Sequence, residues 1–81
     1  MGAVGKALKQ VLETHAISQN KLATVMGVKP FVVYRWYYEK IDPRGETILN
    51  IAEGLQQIEP AAAKKFFMLY LGKFLEDGDR P

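Results

Sequence analysis

Ser18-Gln19-Asn20-Lys21-Leu22-Ala23-Thr24-Val25-Met26-Gly27-Val28, followed directly by Lys29-Pro30-Phe31-Val32-Val33-Tyr34-Arg35-Trp36, decides how this chain of 81 residues is read. The hydroxyl of Ser18 can satisfy an orphan amide in the first turn of a helix, so the serine reads as an N-cap. Leu22, Ala23 and Met26 then repeat at helical spacing, and Gly27 can take the positive φ that ends the helix. Pro30 opens a further helix at the one position where its missing N–H costs nothing. Two short helices joined without slack make a helix-turn-helix, a unit that aims its second helix outward.

At 100° per residue, the helix from Pro30 to about Tyr38 has two distinct sides. Val32, Val33 and Trp36 share an arc that should enter the core, whereas Phe31, Tyr34, Arg35 and Tyr38 gather opposite. Three aromatics around one arginine are a poor surface to leave in water, so this face is expected to meet a partner.

The rest of the chain reads as helix, with no alternation long enough for a strand. Val4, Leu8, Val11 and Leu12 define a first helix from Val4 to Thr14. Asp42-Pro43 and Gly45 are loop chemistry ahead of a fourth helix, with Asp42 or Arg44 at its cap. Ile48, Ile51, Ala52 and Leu55 supply that helix with its apolar stripe. Glu59-Pro60 opens a fifth helix to about Leu75, leaving residues 76–81 as a polar tail. The expectation is one all-α domain of five helices over residues 1–75.

Composition agrees with a small folded domain: 48% hydrophobic and 25% charged residues are the balance of a globular chain rather than a disordered one. There is no cysteine, which leaves no disulfide or thiolate metal site and suggests a reducing compartment. The longest apolar run, Phe66 to Leu71, is far short of the roughly 20 residues of a spanning helix. No apolar segment follows Met1 to Lys6 as a signal peptide would require, so a cytoplasmic protein without a membrane partner is expected. Charge is uneven. Residues 1–44 hold seven Lys and Arg against three carboxylates, a net of +4, whereas residues 45–81 carry −2. The positive half contains the helix-turn-helix, which suits a phosphate-bearing partner.

Gln19, Leu22, Ala23, Gly27, Val28, Val33 and Trp36, continued by Pro43, Glu46-Thr47-Ile48 and Ile51-Ala52-Glu53-Gly54-Leu55, form one connected pattern over about residues 4 to 57. In that pattern the chain resembles the phage-repressor and Cro type of helix-turn-helix, the XRE-type family. The resemblance implies a lambda-repressor-like fold and a transcriptional regulator that places its third helix in the major groove of double-stranded DNA, commonly as a homodimer. By position, it implies DNA contact at Lys29, Pro30, Phe31, Tyr34, Arg35 and Tyr38, and a phosphate contact at Gln19. Arg35 has the donors for guanine, and Phe31 can pack on a thymine methyl. Similar proteins often carry Glu after the tryptophan and Gly two residues later. Tyr37 and Glu39 stand there, so a longer third helix and a different loop are expected. Recognition of a protein through the aromatic face, or service as an antitoxin-type partner, is the alternative.

Other chemistry is sparse. His15 has no carboxylate or second ligand near it in sequence and reads as a solvated helix-end residue rather than a base or metal ligand. The glycines Gly2 and Gly5 before Lys6 lack the spacing and the Ser/Thr of a phosphate loop. Glu76, Asp77 and Asp79 lack the spacing of a calcium loop. No nucleophile, base and orienting group come together, so neither an enzyme nor a cofactor is expected. On the fifth helix, Ala63, Phe66, Phe67, Tyr70, Leu71 and Phe74 span an arc that closes the core, while Met68, Leu69 and Leu75 fall outside it. Those three are the expected homodimer contacts, with Gly72 permitting close approach.

Overall fold

The structure, a computed structural model, describes the backbone of residues 3–78 and the side chains of residues 4–72. It is helical throughout. The order is α1 (Ala3–Thr14), α2 (Gln19–Met26), α3 (Pro30–Tyr37), α4 (Glu46–Ile58) and α5 (Pro60–Gly78), and there is no strand among the described residues. No helix among them is long and apolar enough to cross a membrane.

Local chemistry sets the helix ends. The Lys21 amide donates to Ser18 Oγ at 2.9 Å, so the serine caps α2 as its residue type suggests. Gly27 stops the same helix at φ 73°: its own amide donates to the Thr24 carbonyl at 3.2 Å, and the Val28 amide reaches back to Ala23 at 3.0 Å. This paired arrangement, the Schellman motif, satisfies two of the carbonyls that a helix end leaves open. It recurs after α1 and α3, where no glycine marks it. Ala16 takes φ 54°, with Ile17 donating to Leu12 at 2.9 Å, and Glu39 takes φ 58°, with Lys40 donating to Arg35 at 2.8 Å.

The stop at Glu39 puts the end of α3 within one residue of the expected Tyr38, without the longer third helix that Tyr37 and Glu39 suggested. Glutamate accepts the left-handed conformation that a glycine would take at lower cost, and α3 ends at Tyr37. Ahead of α4, the N-cap is Gly45 rather than Asp42 or Arg44, and it makes no side-chain cap. Pro43 is buried in the connecting loop.

Packing closes a ring: α1 lies on α3, α3 on α2, α2 on α4, α4 on α5, and α5 returns to α1. Inside it, Leu8, Val11, Leu22, Val33, Ile51, Leu55 and Phe66 are fully buried. Trp36 and Ile17 join the same core. Where α1 crosses the end of α3, a Cβ on Gly5 would stand 2.5 Å from the Trp36 carbonyl oxygen. Gly5, with no functional meaning in the sequence, therefore marks a contact of backbone on backbone.

The fifth helix is rolled differently from its sequence expectation. Ala62 and Phe66 are completely buried and Leu69 packs against the core, while Leu71 is 40% exposed. The buried arc is turned by about 50° from the expected one, toward Ala62 and Leu69, because α5 must cover α1 as well as α4. Leu69 is thus a core-facing residue and Leu71 an outward one. The helix also continues to Gly78, past the expected end at Leu75, so Glu76 and Asp77 belong to it. The side chains of Phe74 and Leu75, and residues 79–81, lie outside the described parts.

Two substitutions of opposite sense test these backbone constraints. Ala16→Gly should stabilise the domain by about 1 kcal/mol, since a left-handed alanine costs roughly 1–2 kcal/mol and glycine gives back part of that in chain entropy. Gly5→Ala should destabilise by about 1–3 kcal/mol despite the better helix propensity of alanine, because the new methyl meets a backbone oxygen. Urea melts of the two variants check both signs, and a stabilised Gly5→Ala protein would refute the close approach of α1 and α3.

Candidate nucleic-acid interface

The roll of α3 follows from its inner residues. Val33 is completely buried and Trp36 is 7% exposed, which turns Phe31, Tyr34 and Tyr38 outward at 50%, 47% and 48% exposure. Lys29, Pro30 and Arg35 are exposed beside them. Six of the seven residues singled out by sequence therefore share one surface on and around α3. The seventh, Gln19, is half-buried at the start of α2 and borders a shallow depression with Glu13, Ser18 and Tyr37.

Side chains on this face order one another. The Tyr34 and Tyr38 rings lie 4.6 Å apart between centroids, and Tyr37 meets Tyr38 edge-on at 4.9 Å. Arg35 turns back over the ring of Phe31, one turn earlier, with its guanidinium carbon 5.0 Å from the ring centre. Such a cation–π contact is worth about 0.5–1 kcal/mol at an exposed site, enough to bias the arginine toward one rotamer. No carboxylate among the described residues pairs with it. Among the described residues, none of the seven Lys and Arg of residues 1–44 has an ion-pair partner within 4.0 Å.

Tyr37 is a supporting residue that sequence reasoning missed. Its ring is half-buried beneath Lys9, whose Nζ lies 5.7 Å from the ring centre, and its hydroxyl donates to Glu13 Oε2 at 3.0 Å. Burial, and after it the Glu13 carboxylate, push the Tyr37 phenol above its ordinary pKa, so it remains a neutral donor. The bond ties the last turn of α3 to α1 and backs the exposed ring of Tyr38. Its partners are 24 residues apart, and no local pattern announces the pair.

His15 is corrected as well. Its Nδ1 lies 2.7 Å from Glu59 Oε2, so the ring is neither solvated nor without a carboxylate. The contact spans 44 residues and fastens the end of α1 to the junction of α4 and α5. On α5, Met68 is 59% exposed. A Cβ at Gly72 would meet nothing within 4 Å, which leaves open backbone on the helix surface. No family model matches the chain, and searches of curated proteins and of solved structures return no match.

The two sides of α3 should separate under mutation. Trp36→Ala empties a large buried volume and should cost about 3–5 kcal/mol. Tyr34→Ala, at a half-exposed ring, should leave the melting temperature within a degree or two, since surface substitutions are usually worth less than about 0.5 kcal/mol. Thermal melts followed by circular dichroism give the order, and a reversed order would mean that α3 is rolled the other way.

Proposed function

We propose that this chain is a sequence-specific DNA-binding transcriptional regulator of the lambda-repressor-like kind, similar to the XRE-type family, with α2 and α3 as its helix-turn-helix. The observation that carries this reading is the outward face of α3. An arginine with no carboxylate partner among the described residues stands at its centre, flanked by aromatic rings and bordered by exposed Lys29. In the major groove, Arg35 would read a base edge, Tyr34 and Tyr38 would reach phosphate or base, and Lys29 and Gln19 would hold the backbone. Pro30 contributes shape. The net charge of +4 over residues 1–44 supplies the sequence-independent attraction that draws a protein to a duplex.

A homodimer fits the same reading, since a two-fold operator needs two reading helices. Met68 and Leu71 are exposed and Gly72 is open, at i, i+3 and i+4 along one stripe of α5. A second copy of α5 laid on that stripe would cover the apolar side chains and approach closely at the glycine. The alternative reading is a protein partner on the α3 face. It is favoured by the three half-exposed aromatic rings, since aromatic residues also anchor protein interfaces.

Salt separates the two. If two subunits neutralise about six phosphates, log K should fall against log salt with a slope near −5. Arg35→Ala should cost roughly 1–3 kcal/mol on the preferred site and less on random duplex. Absence of duplex binding at low salt would transfer the α3 face to a protein partner.

The stripe on α5 has its own test. Met68→Glu combined with Leu71→Lys should dissociate a dimer in sedimentation equilibrium while leaving the monomer folded, because both side chains lie outside the core. A wild type that is monomeric both alone and on its DNA would remove the dimer from the reading.

A further inference from the structure

The geometry points to Phe31 and Arg35 acting as one reading unit for a guanine whose neighbouring base carries a C5-methyl group, so that we infer a methyl-dependent thymine–guanine step in the target site. This rests on the reading of the chain as a DNA-binding protein and specifies what its α3 face would recognise.

Arg35 selects the base. The guanidinium carries five donors and no acceptor, and among the described residues none of those donors is taken by a protein acceptor. In the major groove only guanine offers two adjacent acceptors, N7 and O6; adenine pairs an acceptor with a donor, and cytosine shows a donor. The ring of Phe31 holds the planar fork, which leaves less side-chain freedom to lose when two parallel hydrogen bonds form.

Phe31 selects the neighbour. Its ring has no polar atom, is half exposed, and lies 5.0 Å from the guanidinium carbon. Successive base pairs are about 3.4 Å apart, so a ring stacked beside a guanidinium that lies in the plane of the guanine is within reach of the next pair. The apolar feature presented there is the thymine methyl. Tyr34 and Tyr38 extend the aromatic surface, and the outward residues of α3 include no Asn or Gln for bidentate contact with adenine. The unit therefore recognises a methyl group rather than thymine as such, and 5-methylcytosine presents the same methyl in the same groove.

The test begins with duplexes enriched from a randomised pool by the full chain. Each guanine of the preferred duplex is replaced in turn by 7-deazaguanine to locate the Arg35 contact, and each thymine by deoxyuridine, which removes only the methyl. At the thymine beside the located guanine, deoxyuridine should weaken binding about fourfold, the worth of one buried methyl-sized group. Cytosine there should also weaken it, and 5-methylcytosine should recover most of the loss relative to cytosine. Phe31→Ala, with an unchanged melt, should bind the thymine and deoxyuridine duplexes equally. Duplex binding indifferent to every thymine-to-deoxyuridine change, or a Phe31→Ala protein that keeps the wild-type preference, overturns the inference and leaves the DNA-binding reading standing. No enrichment and no salt-dependent duplex binding overturns both.

Discussion

Where each short helix stops is the constraint on which the surface of this protein depends. Helices α2 and α3 have eight residues each, too few to hold their conformation in isolation, and they persist because their ends are satisfied and their inner faces buried. Left-handed residues at Ala16, Gly27 and Glu39 end the first three helices with the same pair of backbone hydrogen bonds. Each stop redirects the chain without spending a loop, and the residue after two of them is apolar and turned inward. Ile17 is buried after Ala16, and Val28 packs on the core after Gly27. Extending α3 by one turn would carry Glu39 and Lys40 into helix and pull the chain from its contact beneath Gly5, where backbone already touches backbone.

Much of this could be read from residues alone, and the exceptions share a cause. Helices α1, α3 and α4 have one apolar stripe each, so spacing fixes both their existence and their roll. Gly27 announces its stop because glycine is the usual occupant of left-handed backbone, whereas Ala16 and Glu39 take the same conformation with no sign in their residue type. Helix α5 is apolar on more than one side, and spacing cannot choose between arcs that include Leu69 or Leu71; the neighbouring helices choose. The face of α3 was legible because Val33 and Trp36 oppose it on the same short helix. Its supports were not, since the Tyr37–Glu13 and His15–Glu59 bonds join residues brought together only by the fold.

The aromatic character of the α3 face carries a tension. Half-exposed Phe31, Tyr34 and Tyr38 lose part of the burial that would favour folding, yet the fold keeps them outward because Val33 and Trp36 fill the core more completely. Contacts among the rings and with Arg35 recover a fraction of that loss and hold the side chains in few conformations. A face organised before contact loses less entropy on contact, which suits a rigid, patterned partner such as a groove floor.

The ring of helix contacts also determines how the two outward surfaces are coupled. Helix α1 packs on both α3 and α5, its Gly5 end against Trp36 and its His15 end against Glu59 beside the start of α5. The second route runs through α4 and α2. A stripe on the outside of α5 reaches the outward face of α3 only through these packed elements, whose residues are buried in one continuous core. Covering that stripe with a second copy would therefore fix the distance and angle between two α3 faces without reshaping either. On the proposed DNA-binding reading, spacing between half-sites would then be set by the α5 contact, and base preference within each half by α3.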